Sequence, residues 1–233
     1  MTETNRILKV TELTKIFPHP AKELTNYPLF AGTSFEVTSQ KPNFIVGVSG
    51  SGKTTLFRII ASLEPINAGE IFFENIAIHK LREKKKIQYM RSIGLMDQFP
   101  SKYLSLNLTV KQNLEYTLAL YTNMPKEERE QRIEEISSAI ELTEILERKT
   151  MLLSGGELRR VGLASSIIHK PKLLLCDEPS SQLDKENKEK VIEAIEQLNE
   201  LYNTLILIAT HDHSIIGKNP MYKIEERRIT KCQ

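Results

Sequence analysis

Residues 47–54 carry the most informative chemical pattern in this chain. They read Gly-Val-Ser-Gly-Ser-Gly-Lys-Thr and fit the spacing G-x-x-x-x-G-K-[ST] of a phosphate-binding loop. Because glycine lacks a Cβ atom, backbone N–H groups in such a loop can approach phosphate oxygens closely. Lys53 supplies a point charge for the β- and γ-phosphates, and the Thr54 hydroxyl is a ligand for Mg²⁺. The pattern therefore predicts a site for a nucleoside triphosphate with Mg²⁺.

The segments that flank this loop have the patterns of a strand and a helix. Residues 43–46, Asn-Phe-Ile-Val, form a short apolar run that is typical of a buried strand. Apolar residues at helical spacing follow the loop: Leu56, Ile59, Ile60 and Leu63. Pro65 then stands where this helix should end. Strand, glycine loop and helix in this order favour the phosphate site over an ordinary glycine turn with a solvated lysine.

A second apolar run, residues 172–178, ends in two carboxylates. It reads Lys-Leu-Leu-Leu-Cys-Asp-Glu, and carboxylates at the end of a parallel strand face the crevice where α/β proteins bind ligands. Asp177 is then a candidate Mg²⁺ ligand, and Glu178 beside it a candidate to orient or deprotonate a water. The alternative is a solvated acidic turn before Pro179, which the upstream phosphate loop disfavours.

Residues 153–157, Leu-Ser-Gly-Gly-Glu, have the pattern of a helix start. Ser154 and Glu157 show the spacing of a capping box. Gly155 and Gly156 leave the N–H groups of the first turn uncovered, so the segment is also a candidate anion site. The capping box by itself favours a plain helix start, and both interpretations stay open on the residues alone.

Length and composition exclude few classes of protein. A chain of 233 residues suits one large domain, or one domain with a subdomain. A net charge of +2 with 27% charged residues demands neither nucleic acid nor an acidic partner. The two cysteines indicate no disulfide framework, which suits a reducing cytosol. We see neither a signal peptide nor an apolar run near the ~20 residues that cross a bilayer.

Three further features have ordinary explanations. The basic segment 80–91 is predicted to be a solvated helix face rather than a nucleic-acid site, because apolar positions interrupt its charges. The His-Asp-His sequence at 211–213 lacks further ligands at metal-binding spacing. Cys176 lies in an apolar run and is predicted to be an inert core thiol.

The first 80 residues are rich in strand and turn patterns. Residues 8–10 and 34–37 alternate as half-buried strands do. Residues 19–28 contain prolines and polar residues, which predicts a surface loop. Residues 68–70 are predicted to turn into a strand at 71–73.

The remaining chain alternates helices and strands. Residues 100–150 have helical patterns, with Pro125 suited to the first turn of a helix and one apolar face at Ile133, Ile136 and Ile140. From Lys172 onward, two apolar strands flank a helix that begins near Lys185. Its predicted buried stripe is Val191, Ala194, Ile195, Leu198 and Leu201. This alternation predicts a parallel sheet, and the central helices are predicted to form an inserted subdomain.

Taken in order, these motifs make the chain resemble an ATP-binding cassette subunit, the ATPase half of ABC transporters. The resemblance covers nearly the whole chain. Its motifs are the phosphate loop or Walker A (47–54), a segment ending in the Q-loop glutamine (93–98), the ABC signature (153–157), Walker B (173–178), the D-loop (181–184), the switch histidine (210–212) and Phe17 at the position of an adenine-stacking aromatic. The signature is the specific element, because it separates this family from other phosphate-loop ATPases.

The resemblance implies a fold and a division of the chain. The fold would be α/β, a phosphate-loop NTPase with a RecA-like core, an antiparallel β subdomain and an inserted α-helical subdomain. Residues 1–233 would form one ABC ATPase domain, with the core at about 1–98 and 152–233 and the helical subdomain at about 99–151.

The resemblance also implies roles for the matched residues. Glu178, His211 and Gln98 would be catalytic, and Thr54, Gln98 and Asp177 would contact Mg²⁺. ATP would be bound by Phe17, Gly47, Val48, Ser49, Gly50, Ser51, Gly52, Lys53, Thr54 and Thr55. The signature residues Ser154, Gly155, Gly156 and Glu157 would act in trans on ATP held by a second subunit.

Several residues depart from the usual family pattern. The signature ends in Glu157 instead of glutamine, residues 158–164 keep only part of the following helix pattern, and Ser180 stands where threonine is commoner. Glu157 is frequent in the lipoprotein-release, macrolide-export and cell-division subgroup. The helical segment before residues 125–128 and the short C-terminus after 224–229 also favour that subgroup.

The implied function is ATP binding and hydrolysis in a homodimer that energises a separate integral-membrane permease. ATP and Mg²⁺ would be its cofactors, nucleic acid would not be a partner, and the permease would hold the chain at the cytoplasmic face of the membrane. One alternative is a nucleotide-gated coupling module that signals without moving a substrate. Another is an ABC ATPase of DNA repair or translation, which the single cassette and the short gap from Gln98 to Leu153 disfavour.

Overall fold

The computed structural model describes residues 5–18, 26–181 and 183–232. In this part of the chain four strands form an antiparallel sheet: β1 (Ile7–Phe17), β2 (Tyr27–Thr38), β4 (Ala68–Phe73) and β5 (Ile76–Ala77). Their order in the sheet is β2-β1-β4-β5. The predicted strands at 8–10, 34–37 and 71–73 lie within them and are confirmed.

A second sheet contains six strands: β3 (Asn43–Val46), β6 (Ile93–Met96), β7 (Leu173–Asp177), β8 (Leu205–Thr210), β9 (Met221–Glu225) and β10 (Arg228–Lys231). Their order in the sheet is β10-β9-β3-β8-β7-β6. Strands β9, β3, β8, β7 and β6 are parallel, while β10 pairs antiparallel with β9. The predicted parallel sheet is therefore confirmed.

Helices connect and cover the sheets. The α-helices are α1 (Lys53–Ile60), α2 (Glu83–Arg91), α3 (Val110–Tyr121), α4 (Lys126–Ala139), α5 (Gly155–Ile167) and α6 (Lys185–Tyr202). Short 3₁₀ turns lie at Ile78–Lys80, Pro100–Lys102, Thr143–Ile145, Thr150–Leu152 and His213–Ile215. Pro125 precedes α4 as its N-cap, where a missing backbone N–H costs no helical hydrogen bond.

The central strands are apolar throughout because both faces of the parallel sheet are covered. Every residue of β3, β7 and β8 is buried. Alternate side chains of β7 enter different apolar clusters: Leu174 and Cys176 pack with α3 to α6, while Leu173 and Leu175 pack with α1 and the antiparallel sheet. Packing in the two clusters fixes the position of each strand along the sheet, and this in turn positions the loops that follow the strands.

The central helices share their core with the parallel sheet. Ile133, Ile136 and Ile140 are buried as predicted, in the same cluster as residues of α5 and β7. The division into a core and a helical subdomain at 99–151 stays a prediction. No helix among the described residues is long and apolar enough to cross a membrane.

Four local predictions are wrong. Residues 68–70 extend β4 instead of forming a turn, because Ala68 and Glu70 pair with Thr14 and Thr11 of β1. The predicted surface loop at 19–28 ends earlier, since β2 begins at Tyr27, and its residues 19–25 lie outside the described part.

The other two errors concern helix ends. Leu63 lies beyond the end of α1, and 37% of it is exposed. Leu201 belongs to α6 but is 55% exposed, because Tyr202 packs against the core in its place in the last turn of the helix.

Candidate functional site

The carboxyl ends of β3, β7 and β8 meet at one edge of the parallel sheet. Val46 pairs opposite Thr210, and Asp177 pairs opposite Ala209, so the residues that follow these strands come together. A cleft of about 620 Å³ opens there. It is lined by Phe17, Leu29, Val48, Ser49, Gly50, Gly52, Lys53, Thr54, Thr55, Gln98, Asp177, Glu178 and His211.

The phosphate-binding loop has the tight geometry that its sequence predicts. Gly52, which precedes α1, adopts φ +104°, a conformation that side chains with a Cβ atom rarely adopt. A Cβ atom on Gly47 would lie 2.5 Å from Ser51 Oγ, so the loop closes on itself without room for a side chain. Ser51 Oγ is itself buried and has no hydrogen-bond partner in the described structure. A tight glycine loop with an unpartnered hydroxyl fits a phosphate group.

Lys53 is held within the loop. Its ammonium donates to Gly47 O at 2.8 Å and lies 3.5 Å from Glu178 Oε1, with 7% of the residue exposed. A buried ammonium needs compensating partners. Phosphate oxygens offer the same kind of partner, so the lysine is poised for an anionic ligand.

Thr54 and Asp177 form a pair that fits a Mg²⁺ ion. The Thr54 hydroxyl donates to Asp177 Oδ2 at 2.6 Å. Burial raises the pKa of Asp177, an effect that the hydrogen bond from Thr54 opposes and the charge of Glu178 reinforces. A nearby cation would stabilise the ionised carboxylate.

The described residues contain no group of three or more His, Cys, Asp or Glu side chains arranged to hold a metal. Mg²⁺ commonly takes one or two protein ligands together with substrate phosphates and waters. The Thr54–Asp177 pair therefore fits a metal that arrives with a nucleotide.

Glu178 occupies a strained position immediately after β7. It is 9% exposed and adopts φ +51°, which costs on the order of 1–3 kcal/mol for a non-glycine residue. Its backbone N–H donates to Ala209 O at 2.9 Å, and its carbonyl accepts from Ser181 N–H at 3.1 Å. These contacts hold the turn and direct the carboxylate into the cleft.

His211 and Gln98 complete the cleft, each following one of the two strands that flank β7. His211 follows β8, and its Nδ1 lies 3.0 Å from both Glu178 carboxylate oxygens. Its side chain is 64% exposed, so the ring can reorient toward a ligand. Gln98 lies two residues beyond β6 and is half-buried.

Asp212 anchors the segment that carries His211. Its carboxylate accepts from Lys188 Nζ at 2.5 Å and from the Ser214 hydroxyl at 2.6 Å, and these bonds hold the pKa of Asp212 well below its usual range. Lys188 belongs to α6, so the end of β8 is tied to the helix that follows the D-loop segment.

Phe17 forms an aromatic wall of the cleft. The Lys15 ammonium lies 4.6 Å from the centre of its ring and is held by Glu64 at 2.6 Å and by Pro65 O at 2.8 Å. The Lys15 ammonium thus makes a cation–π contact with the Phe17 ring. The role of Phe17 in adenine stacking stays a prediction.

The signature residues lie elsewhere on the surface. Ser154 caps α5, and both bonds of the predicted capping box are present: Glu157 N–H to Ser154 Oγ at 3.3 Å, and Ser154 N–H to Glu157 Oε2 at 2.7 Å. Ser154 and Gly155 are exposed, and the segment does not line the cleft of its own chain. Gly156 is buried against α6, where a Cβ atom would lie 2.5 Å from Asn187 Oδ1.

The D-loop segment is described only in part, since Gln182 lies outside the described residues. Ser181 accepts hydrogen bonds from Arg159 on α5. Leu29 and Arg159 are the site-related residues that the sequence patterns missed. Leu29 lies between the predicted loop at 19–28 and the alternating pattern at 34–37, and no local pattern relates Arg159 to residues about 20 positions away.

Glu157 should stabilise the start of α5 in a pH-dependent way. The Ser154 N–H lowers its pKa most, and Arg148, 2.8 Å away, lowers it further, from a usual value near 4.5. Because the folded pKa lies below the unfolded one, the stabilisation is complete above pH 4.5 and is lost as the pH falls through the folded value.

We expect Glu157→Ala to lower the free energy of unfolding by about 1 kcal/mol at pH 7. Glu157→Gln should lose less, because its amide oxygen still accepts from Ser154 N–H. Urea denaturation at pH 7 and below pH 4.5 measures both variants. Equal stability of the parent and Glu157→Ala at pH 7 would contradict the role of the capping box.

Comparison with known proteins relates this site to a family. Residues 30–181 match the family described as ABC transporter. The lipoprotein-releasing system ATP-binding protein LolD of Buchnera aphidicola subsp. Acyrthosiphon pisum is 33% identical over 204 residues, which cover 87% of this chain and 89% of that protein. The bacitracin export ATP-binding protein BceA of Halalkalibacterium halodurans is 28% identical over 88% of this chain and 80% of its own length.

Solved structures share the same fold. A dimeric, post-hydrolysis state of the ATP-binding cassette MJ0796 bound to ADP and Pi superposes with a TM-score of 0.83 at 26% identity, covering 97% of this chain and 99% of that one. CbiO1 from Clostridium perfringens, part of the ABC transporter complex cbiONQ, gives a TM-score of 0.85 at 26% identity, covering 97% and 88%. These likenesses confirm the predicted ABC ATPase fold class. With the family match over more than half of its length and the agreement of its motifs, the chain belongs to the ABC transporter family.

Proposed function

We propose that this chain is the ATP-binding and ATP-hydrolysing subunit of a transporter, which dimerises around two ATP molecules and energises a separate membrane permease. One observation carries the proposal: Lys53, the Thr54–Asp177 pair and the Glu178–His211 pair share a single cleft. These groups suit a triphosphate, its metal and an attacking water, respectively.

Nucleotide binding is assigned to the loop at 47–54 and to Phe17. The loop N–H groups and the N-terminus of α1 bind the phosphates, while Lys53 exchanges its bond to Gly47 O for phosphate oxygens. Phe17 stacks on the base. Thr54, Asp177 and Gln98 would hold Mg²⁺, and the ion would supply positive charge that neutralises the phosphates.

Hydrolysis is assigned to Glu178 as the general base. Its carboxylate accepts the proton of the attacking water, and the strained turn keeps it near Lys53. His211 turns from Glu178 toward the γ-phosphate, which its high exposure permits. Gln98 contacts the metal or the water.

A second subunit is needed to complete each site. Ser154 and Gly155 are exposed at the start of a helix but lie outside the cleft of their own chain. A helix N-terminus favours negative charge, so Ser154 to Gly156, with Glu157 holding the cap, suit the γ-phosphate of ATP on a partner. The dimeric state of the similar MJ0796 cassette supports a second subunit.

An apolar cleft of about 670 Å³ supports contact with a permease. Exposed apolar side chains line it: Leu63, Ile87, Leu95, Tyr116, Leu120 and Tyr121. Exposed apolar surfaces of this kind mark interaction sites. Asp97 also lines the cleft and precedes Gln98, so a docked permease would adjoin the nucleotide site and hold the chain at the cytoplasmic face of the membrane. The name of LolD, a lipoprotein-releasing system protein, favours the lipoprotein-release, macrolide-export and cell-division subgroup, and the name of BceA, a bacitracin export protein, favours a transport role.

Glu178→Gln tests both hydrolysis and dimerisation. The amide keeps the shape of the carboxylate but cannot accept the water's proton, so hydrolysis should fall about 10²–10⁴-fold. The variant should bind ATP and accumulate as a dimer in light scattering. Lys53→Ala is the control, since it should lose the phosphate contact and stay monomeric. Hydrolysis by Glu178→Gln at the parent rate would show that Glu178 is not the base.

Tyr116→Glu tests the permease contact. Tyr116 is 65% exposed and lines the apolar cleft, so a carboxylate there should release the chain from the membrane fraction of its host. Ultracentrifugation and immunoblotting measure this, and ATP hydrolysis by the purified chain should not change. Leu201→Glu is the matched control, because Leu201 is 55% exposed but lies outside the cleft. Equal membrane retention of both variants and the parent would contradict this docking site.

A further inference from the structure

A buried arginine links the helix that begins after Ser154 to the turn that carries Glu178. Arg159 lies on α5 and is 5% exposed. Its guanidinium donates to Glu178 O at 3.1 Å, to Ser181 O at 3.1 Å and to Ser181 Oγ at 2.8 Å. All three acceptors belong to residues 178–181, immediately after β7. Arg159 therefore holds both ends of this turn.

The positive charge of Arg159 is unusual for a packing residue. Among the described residues no carboxylate oxygen forms an ion pair with it, and its hydrogen-bond acceptors are two carbonyls and a hydroxyl. Burial lowers the pKa of the guanidinium, which the nearby Tyr103, Glu178 and Asp97 oppose. Burying a charge costs free energy that an apolar side chain would avoid. We therefore expect the hydrogen bonds of Arg159 to matter more than its packing.

Arg159 holds the turn in which Glu178 has a strained backbone conformation. Glu178 adopts φ +51°, a conformation that persists only where the surroundings hold it. Its carbonyl accepts from both Ser181 N–H and Arg159, and its N–H donates to Ala209 O. With these contacts in place the carboxylate faces Lys53 at 3.5 Å and His211 at 3.0 Å. Loss of the guanidinium would free one side of the turn.

We propose that Arg159 is a positioning residue for hydrolysis, because its guanidinium fixes the 178–181 turn and thereby the Glu178 carboxylate. This inference rests on the proposed role of Glu178 as the base. The same helix presents Ser154 at its start, so Arg159 also connects the surface offered to a partner subunit with the base of its own subunit. Arg159 contacts neither ATP nor water in this role.

Arg132 provides a matched control within the same chain. It is 4% exposed and also donates to a backbone carbonyl, Ile168 O, at 2.8 Å. Its other partners are Glu135 and Tyr202, which lie outside the nucleotide cleft. Arg132→Met should therefore destabilise the fold as Arg159→Met does, without an effect on the chemical step.

The first test compares kcat with ATP affinity in the purified full-length chain. Arg159→Met should lower kcat about 10- to 100-fold, as a small misplacement of a catalytic group does, while the Kd for Mg-ATP stays unchanged. Arg159→Lys should recover part of kcat, because its ammonium can reach one of the acceptors. Arg132→Met should keep the parent kcat although its melting temperature falls. A parent-like kcat for Arg159→Met, or equal losses of kcat in both methionine variants, would overturn the inference.

A double-mutant cycle tests whether Arg159 acts through Glu178. In single-turnover hydrolysis, Arg159→Met should reduce the rate of the parent but not the residual rate of Glu178→Gln. A further reduction of the same size in the double variant would overturn the inference. Glu178→Gln also distinguishes a failure of the proposed function from a failure of the inference about Arg159. If it hydrolyses ATP like the parent, the proposed function and the inference both fail, whereas an impaired Glu178→Gln with an unimpaired Arg159→Met contradicts the inference alone.

Discussion

The parallel register of three buried strands determines where chemistry can occur in this protein. Val46 on β3 lies opposite Thr210 on β8, and Asp177 on β7 lies opposite Ala209 on the same strand. A slip of one residue would move every buried side chain to the other face of the sheet, so the apolar clusters on both faces fix this register. Since the strands run in one direction, the phosphate loop, the two carboxylates and the switch histidine follow at one edge of the sheet.

The polar groups of the cleft contact one another. The Lys53 ammonium lies beside Glu178, Glu178 beside His211, and Asp177 accepts from Thr54. Each of these contacts stands where the proposed function requires a phosphate, a water or a metal. Under that proposal, nucleotide binding exchanges existing polar contacts for new ones, so few buried charges are left unpaired at any stage.

Local patterns predicted most of the fold and the composition of the site. The uniformly apolar β3 and β7, the phosphate loop and the capping box of α5 could be predicted because each depends on residues that are neighbours in the chain. The wrong predictions concern residues whose structure depends on contacts with segments that are distant in the sequence. Ala68 is a strand residue because Thr14 pairs with it, and Leu201 is exposed because Tyr202 packs against the core in its place. The bonds from Arg159 to the 178–181 turn join residues about 20 positions apart and leave no periodic signal.

Mixing two inactive variants tests most directly whether each site is shared between subunits. Lys53→Ala removes the phosphate contact of one subunit, and Ser154→Arg blocks the helix start that one subunit offers to its partner. A mixed dimer then contains one site with an intact Lys53 from one chain and an intact Ser154 from the other. ATP hydrolysis should therefore return when the two purified variants are combined, although each alone is inactive. Absence of hydrolysis in a mixture that forms dimers would show that Ser154 acts on the ATP of its own chain.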